Sequence, residues 1–103
     1  MSLEELTALL QTVGLPVAYR AFPEGKAPPL PYICYLCSYT NNFDADNRVY
    51  QKIDHINIEL YTRQKHPDLE AQLETALQTL CWEKSEEYID DERCYEILYE
   101  IEV

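Results

Sequence analysis

The chain has 103 residues, which is enough for one domain with a single hydrophobic core. Its 8 basic and 19 acidic residues give a formal net charge of −11, so it lacks the positive surface with which proteins bind phosphates. No apolar run approaches the roughly 20 residues that span a bilayer, and the N-terminus lacks the features of a signal peptide. We therefore expect a single domain over residues 1–103 in a reducing, cytoplasmic compartment, with the 4 cysteines as free thiols.

The first predicted element is a helix over Leu3–Val13. Ser2 is followed three residues later by Glu5, the spacing of a capping box in which each side chain satisfies an unpaired backbone N–H. Leucines then recur at helical spacing, and Gly14 can adopt the left-handed conformation that ends a helix.

The middle of the chain predicts three strands. Val17–Phe22 is a short strand candidate, and the proline-rich stretch Glu24–Pro31 is predicted to be a loop. Tyr32–Thr40 is apolar at odd and even positions alike, which is typical of a central strand covered on both faces. Asn41–Asn47 is predicted to be a turn-rich connection, and Val49–Thr62 a long strand that forms an antiparallel hairpin with the preceding one.

The long strand Val49–Thr62 changes the parity of its apolar residues partway along. They lie at odd positions in the first half and at even positions in the second, namely Val49 and Ile53, then Ile56, Ile58 and Leu60. Odd and even positions of a strand point to opposite faces of a sheet. Either a bulge near Asp54–His55 redirects the side chains, or the two halves bury opposite faces against different partners.

The last third predicts one helix and two strands. The helix begins at Pro67 and ends near Cys81 or Trp82, with Leu69, Leu73, Ala76, Leu77 and Leu80 as its buried stripe. Glu83–Ile89 is a weaker strand, followed by a turn at Asp90–Arg93. The final strand alternates, with Tyr95, Ile97, Tyr99, Ile101 and Val103 facing inward and Glu96, Glu100 and Glu102 outward.

The order α-β-β-β-α-β-β predicts an α+β fold, with a mainly antiparallel sheet of four to five strands and two helices on one face. Two helices of this length can cover only one face of such a sheet. Because Tyr32–Thr40 is apolar on both faces, we expect another copy of the chain or a partner subunit to cover the second face.

The residues offer little material for an active site. Cys34 and Cys37 have C-x-x-C spacing, but in a strand they face opposite sides and cannot reach one metal ion. His55 and His66 lack a nucleophile or a second histidine nearby. The acidic cluster from Glu83 to Glu92 lacks the glycine and the acid spacing of a calcium loop. We therefore predict no catalytic, cofactor-binding or metal-binding residue, and no enzymatic activity.

Several short motifs in order resemble the small tail-completion proteins of long-tailed bacteriophages and prophages, especially those of Gram-positive hosts. They are Phe22–Glu24 (FPE), Pro28–Ile33 (PPLPYI), Asn41–Asn47 (NNFDADN) and Ile58–Thr62 (IELYT), followed by the acidic ending around Tyr88–Ile97. The resemblance covers nearly the whole chain and extends to tail-terminator and head–tail joining proteins. Its weight lies in the order and spacing of the motifs, because each is an ordinary sequence by itself.

The resemblance implies a structural virion-assembly protein that caps the tail tube as a homo-oligomeric ring, commonly a hexamer. Its partners would be other copies of itself, the tail tube protein and the head-connector proteins, in the virion tail or neck and in the host cytoplasm during assembly. DNA would pass through the ring without specific binding, and Glu96, Glu100 and Glu102 are candidates for an acidic lumen. No cofactor and no membrane association are implied.

The candidate interface with another subunit or partner surrounds the predicted hairpin loop. It consists of Asn41, Asn42, Phe43, Asp44, Asp46, Arg48, Val49 and Ile53. Phe43 is a large apolar residue in a polar segment, and it either contacts a partner or folds back onto its own domain.

Two other functional classes remain open at this stage. Small acidic α+β domains also serve as protein-binding modules, so a host-encoded adaptor or inhibitor is the alternative to a phage protein. A small enzyme with an unrecognised site is the weakest hypothesis, because no polar constellation supports it.

Overall fold

In a computed structural model, the chain forms two helices and five strands. The structure describes residues 1–45 and 48–103, and the side chains of residues 1–41 and 52–103. In chain order the elements are α1 (Leu3–Gln11), β1 (Val17–Tyr19), β2 (Tyr32–Ala45), β3 (Arg48–Thr62), α2 (Pro67–Ala76), β4 (Trp82–Ile89) and β5 (Cys94–Glu102). The predicted α+β class, with five strands and two helices, is confirmed.

The sheet is mixed, so the prediction of a mainly antiparallel sheet is wrong. Its strands lie in the spatial order β1-β2-β3-β5-β4, which differs from their order along the chain because β5 lies between β3 and β4. β1 pairs with β2 in parallel, from Val17 opposite Ile33 to Tyr19 opposite Tyr35. The connection over residues 20–31 is long enough to return the chain to the end of the sheet where β1 began, as a parallel pair requires.

Both helices begin as the sequence predicts and end earlier. The capping box of α1 is present, with Ser2 Oγ accepting from Glu5 N–H at 3.1 Å and Glu5 Oε1 accepting from Ser2 N–H at 3.2 Å. Gly14 has a φ of +90°, the left-handed conformation expected of it. α2 ends at Ala76 rather than near Cys81 or Trp82, because the backbone leaves the helix at Leu77 and continues as a turn.

The core lies between the two helices and one face of the sheet. Its buried members come from both helices and from β2, β3 and β5, and they are Leu6, Leu10, Ile33, Tyr35, Ile56, Ile58, Leu60, Leu69, Leu73, Leu77, Ile97, Tyr99 and Ile101. The cross-strand register explains this set, since Ile58 stands opposite Tyr35 on β2 and opposite Tyr99 on β5. The even residues of β3 therefore face the helices, as the parity of Ile56, Ile58 and Leu60 predicts.

β2 and β3 continue past the rest of the sheet as a two-stranded ribbon. We call this ribbon, residues Tyr39–Ala45 of β2 and Arg48–Ile53 of β3, the arm. β1 pairs with β2 at residues 33–35 and β5 pairs with β3 at residues 55–62, so both neighbours stop short of the arm. The molecule is accordingly elongated, with principal extents of 50 × 29 × 23 Å.

The prediction of a loop over Asn41–Asn47 is wrong for residues 41–45, which belong to β2; Asp46 and Asn47 lie outside the described residues. Asn41 pairs with Ile53, Asn42 with Lys52 and Ala45 with Arg48. Asn and Asp favour turns by local hydrogen bonding, and here pairing with β3 overrides that preference.

The predicted bulge near Asp54–His55 lies on the partner strand instead. The pairing of β2 with β3 shifts between Cys37 and Tyr39, so Ser38 is the extra residue, while β3 pairs regularly with β5 from His55 onward. Ser38 Oγ donates a hydrogen bond to the backbone carbonyl of His55 at 3.1 Å. A second shift occurs between Phe43 and Asp44, so parity counted along β3 does not by itself place Val49 and Ile53 on one face.

Candidate assembly interface

The side of the sheet away from the helices, which we call the open face, is strongly acidic. Its positions follow from the cross-strand register and comprise Tyr32, Cys34 and Leu36 on β2, His55, Asn57, Glu59 and Tyr61 on β3, Glu96, Leu98, Glu100 and Glu102 on β5, and Glu83, Ser85 and Glu87 on β4. Six of these residues are glutamates, and none is lysine or arginine. The three predicted lumen residues thus share one face with Glu59, Glu83 and Glu87. Because these three glutamates lie on other strands, only the cross-strand register reveals that they belong to the same face.

One end of the open face is covered by the chain itself. Phe22, in the connection between β1 and β2, packs edge-on against Tyr32 with ring centroids 5.0 Å apart, and Tyr32 packs against Tyr61 at 5.4 Å. Cys34 is only 4% exposed, and this burial raises the pKa of its thiol to about 11. The apolar excess from which we predicted a covering subunit is therefore smaller than the sequence indicates.

Glu59 and Glu96 form a carboxyl pair in the middle of the acidic rows. Burial raises the pKa of Glu96 to about 7; the hydrogen bond to Glu59 and the negative charges of Glu59, Glu87 and Glu92 add to this effect. A proton shared between neighbouring carboxylates relieves the repulsion of two charges that face each other. The open face therefore carries a carboxyl group that changes its charge near neutral pH.

We expect Glu96→Gln to stabilise the protein at pH 8 and to leave its stability at pH 4 nearly unchanged. Because the pKa of Glu96 in the folded state lies above the ordinary value of 4.5, its contribution to stability is complete below that value and is lost as the pH rises through about 7. Allowing for solvent screening, the gain in the free energy of unfolding at pH 8 should be about 1–2 kcal/mol, measured by urea unfolding. Glu24→Gln removes the same charge from an exposed loop, and an equal gain in that variant would contradict the assignment.

His55 lies at the other end of the open face, between an aromatic ring and two carboxylates. Its imidazole stacks on Tyr39 with ring centroids 4.6 Å apart and an interplanar angle of 8°. Its Nε2 lies 3.2 Å from Glu100 Oε1, and its Nδ1 lies 4.0 Å from Glu102 Oε1. His55 thus lies beside the two acidic residues at the end of β5, next to the base of the arm.

His66, the other histidine, has a local structural role. Its Nδ1 accepts a hydrogen bond from the backbone N–H of Leu69 at 3.2 Å, which caps the start of α2. The sequence predicts a surface position for His66, and the structure has it exposed. Its role as a cap was not predicted, because serine, threonine and aspartate are the usual residues at the N-cap of a helix.

Two of the basic residues are used within the fold, on the helix side of the sheet. Glu70 is 3% exposed and pairs with Lys84 at 2.7 Å and with Lys65 at 2.8 Å. Lys84 also pairs with Glu74 at 2.8 Å, and the hydroxyl of Tyr99 donates to the same carboxylate at 2.7 Å. This network joins α2 to β4 and β5, and its two lysines lie on the side of the sheet opposite the acidic open face.

The predicted interface residues lie on the arm, away from the acidic rows. Asn41 is exposed, Ile53 is half-buried, and the two are direct cross-strand partners. Asn42, Phe43, Asp44, Arg48 and Val49 lie in the paired strands of the arm, and Asp46 lies outside the described residues. The structure therefore separates two candidate surfaces, the arm and the open face.

Cys34 and Cys37 face opposite sides of β2, since Cys34 is on the open face and Cys37 packs against the core. In the part of the chain that the structure describes, no three His, Cys, Asp or Glu side chains converge as ligands for a metal ion. Within those residues, neither helix has the length and apolar character needed to cross a membrane.

No protein-family model matches the chain, and no curated protein matches it.

Proposed function

We propose that this protein is a structural component of phage or prophage assembly, which caps or completes the tail tube and joins it to the head connector as a ring. The observation that carries the proposal is the arm, a two-stranded ribbon that extends past both of its neighbouring strands. A ribbon of two strands is only marginally stable in water, and a third strand or a packed surface stabilises it. An arm that is stabilised by a partner is therefore expected in a subunit that assembles with other copies of itself.

In this ring, the acidic open face would allow DNA to pass without being bound. DNA carries a dense negative charge, and a surface with six glutamates and no positive residue repels it instead of holding it. In this proposal Glu96, Glu100 and Glu102 line the opening together with their neighbours on β3 and β4. The helices then lie on the outer side of the ring.

The resemblance in the motifs supplies the rest of the proposal. It favours a hexamer, with the tail tube protein on one side of the ring and the head-connector proteins on the other. The protein would be made in the bacterial cytoplasm and retained in the virion tail or neck. The arm residues Asn41–Asp44, Asp46, Arg48, Val49 and Ile53 would contact other subunits or the tube.

The ring can be tested with the purified, reduced protein by negative-stain electron microscopy and sedimentation velocity over a wide range of concentrations. We expect closed rings whose mass is a small multiple of 12.1 kDa, six copies for a hexamer. Deleting the tip of the arm, residues 43–50, should abolish the rings while the far-UV circular dichroism of the remaining sheet and helices persists. A protein that stays monomeric at its highest soluble concentration would contradict the proposal.

The acidic open face also supports a second candidate, an adaptor or inhibitor that binds a basic protein surface. Such a protein would act as a monomer and would bind its target with an affinity that falls steeply as salt is added. Genes for phage morphogenesis on either side of its own gene would favour the tail protein. An isolated host gene, with monomers in solution, would favour the adaptor.

A further inference from the structure

β4 forms one border of the sheet, and its outer edge is unpaired within the described part of the chain. Its eight residues (WEKSEEYI) pair with β5 without a register shift, and the six from Glu83 to Tyr88 are all exposed. Proteins block such edges with short strands, prolines, bulges, a covering segment or charged side chains. Among the described residues β4 has only the last of these, so its edge is open to a further strand of suitable charge.

The backbone hydrogen bonds show which residues of β4 face the free edge. Asp54 and Val103 exchange both of their backbone hydrogen bonds at 2.9 Å, and in an antiparallel ladder such bonded pairs alternate with unbonded pairs. Counting back from Val103 into β5, the odd residues bond to β3 and the even residues bond to the odd residues of β4. The N–H and C=O groups that point outward therefore belong to the even residues of β4, which are Trp82, Lys84, Glu86 and Tyr88.

An added antiparallel strand would meet the open face of β4 at its closest side-chain contacts. It would form bonded pairs with the even residues of β4 and unbonded pairs with the odd residues, and side chains approach most closely at unbonded pairs. The odd positions from Glu83 to Glu87 are two glutamates and Ser85. Neither glutamate makes an ion pair within the described part of the chain. Positive residues are therefore favoured opposite Glu83 and Glu87.

The charges on the helix side of β4 are already paired. Lys84 is bound by Glu70 and Glu74, and Glu86 is bound by Lys65. The acidity that β4 offers to a partner thus lies on the open face.

Pairing of β4 with β4 of a second copy is disfavoured by the same glutamates. When the outward backbone groups of the two strands are aligned over their full length, Glu83 of each copy stands opposite Glu87 of the other. Like charges directly opposite each other destabilise a sheet. Lys84 and Glu86 would also face each other, but both are already paired within their own subunit. The charges of the edge therefore favour a basic strand from another protein.

We infer that the free edge of β4 binds an extended, basic segment of another protein, which adds an antiparallel strand with lysine or arginine opposite Glu83 and Glu87. The backbone hydrogen bonds provide affinity, and the two glutamates select the sequence. The contact needs only one subunit, so it goes beyond the proposed ring and does not depend on it. In a ring, the other four glutamates of the open face remain free for the opening.

The test uses a synthetic peptide of alternating lysine and threonine, as long as β4, at a protein concentration where sedimentation shows a monomer. In the inferred alignment the lysines lie on the open face with their N–H groups pointing away from β4, and the threonines present theirs to the edge. N-methylation of the threonines should therefore abolish binding. N-methylation of the lysines, the matched control, should change the apparent Kd by less than about twofold, as measured by fluorescence anisotropy.

Variants of the protein test the role of charge. Glu83→Gln with Glu87→Gln should raise the apparent Kd of the peptide by at least about fivefold. Glu4→Gln with Glu24→Gln removes the same charge from exposed positions outside the open face and should leave the Kd within about twofold of the wild-type value. A peptide of alternating glutamate and threonine should not bind.

Amide hydrogen exchange locates the bound peptide. In the free protein the outward N–H groups of β4 should exchange quickly, whereas those bonded to β5 should be protected. The peptide should slow exchange of the outward groups by at least about tenfold and leave the inner groups unchanged.

Protection on another strand instead, or binding that survives methylation of the threonines, would overturn the inference. Outward amides that become protected without peptide as the protein concentration rises would also overturn it, because a second copy would then occupy the edge. A protein that binds the peptide at β4 but never assembles would overturn the proposed ring and leave this inference standing. Rings without peptide binding would do the reverse.

Discussion

A variant with Glu96→Lys, Glu100→Lys and Glu102→Lys is expected to bind double-stranded DNA, whereas the wild-type protein does not. The three substitutions place three positive charges on the open face and remove half of its six glutamates. Each lysine that neutralises a phosphate releases counterions, so the logarithm of the binding constant should fall with the logarithm of salt concentration at a slope of about −2 to −3. Fluorescence anisotropy with a labelled duplex at several salt concentrations measures that slope.

The same variant tests the acidic face in assembly. If the open face lines the opening of a ring, a phage that carries these lysines should give particles of normal appearance but a titre at least about tenfold lower, because DNA is held during its passage. An unchanged titre, with the variant present in the particles, would contradict a role of the open face in the opening. Loss of the particles themselves would show a defect in assembly rather than in DNA passage.

A matched control separates charge from folding. Glu96 is half-buried and shares a proton with Glu59, so lysine at this position also disturbs the sheet. The double variant Glu100→Lys with Glu102→Lys leaves that pair intact and should keep most of the effect on DNA binding. Replacing Glu4 and Glu24 by lysine on exposed positions outside the open face gives a comparable change in net charge and should leave DNA binding and titre unchanged.

The secondary structure that depends on local signals could be predicted from the sequence. Ser2, Glu5 and Gly14 define the start and the end of α1 through contacts within a few residues, and Pro67 defines the start of α2 in the same way. The last strand was predicted from alternation alone, and its inward residues Ile97 and Tyr99 are buried. In these elements the local preference and the tertiary structure agree.

Neither the parallel direction of β1 nor the existence of the arm could be predicted, because both depend on pairing between distant segments. Three residues of β1 carry no signal that distinguishes a parallel from an antiparallel neighbour. Asn41–Ala45 favours a turn by composition, and only its pairing with β3 makes it a strand. The parity change in β3 predicted a bulge near Asp54–His55, but the extra residue, Ser38, lies on the partner strand β2, and the sequence of β3 gives no sign of it.

The residues of the open face were likewise predictable only in part. The alternation of β5 identified Glu96, Glu100 and Glu102, while Glu59, Glu83 and Glu87 joined them only through the strand order β3-β5-β4. The cover over Tyr32 and Cys34 also comes from a distant segment, the connection that contains Phe22. Whether a residue near one end of the sheet is covered by its own chain or by a neighbour cannot be derived from periodicity.

The two faces of the sheet should differ sharply in what they contribute to the stability of a single subunit. Ile58 is fully buried between Tyr35 and Tyr99 under the helices, so Ile58→Ala should lower the free energy of unfolding by about 2–5 kcal/mol through lost burial and a cavity. Leu98 stands on the adjacent strand but on the open face, where it is half-buried beside Glu59. Leu98→Ala removes a similar volume and should cost only about 1 kcal/mol in a monomer.

Thermal and urea unfolding of the two variants at a concentration too low for assembly decides between a covered and an uncovered open face. Ile58→Ala should lower the melting temperature by about 10 °C or more, and Leu98→Ala by less than about half of that. Equal losses would mean that the open face is already a second core within one subunit, and that no neighbouring copy is needed to explain its apolar residues. Because a ring brings open faces toward one another around an opening without stacking them, Leu98→Ala should also leave assembly intact, whereas deletion of residues 43–50 should not.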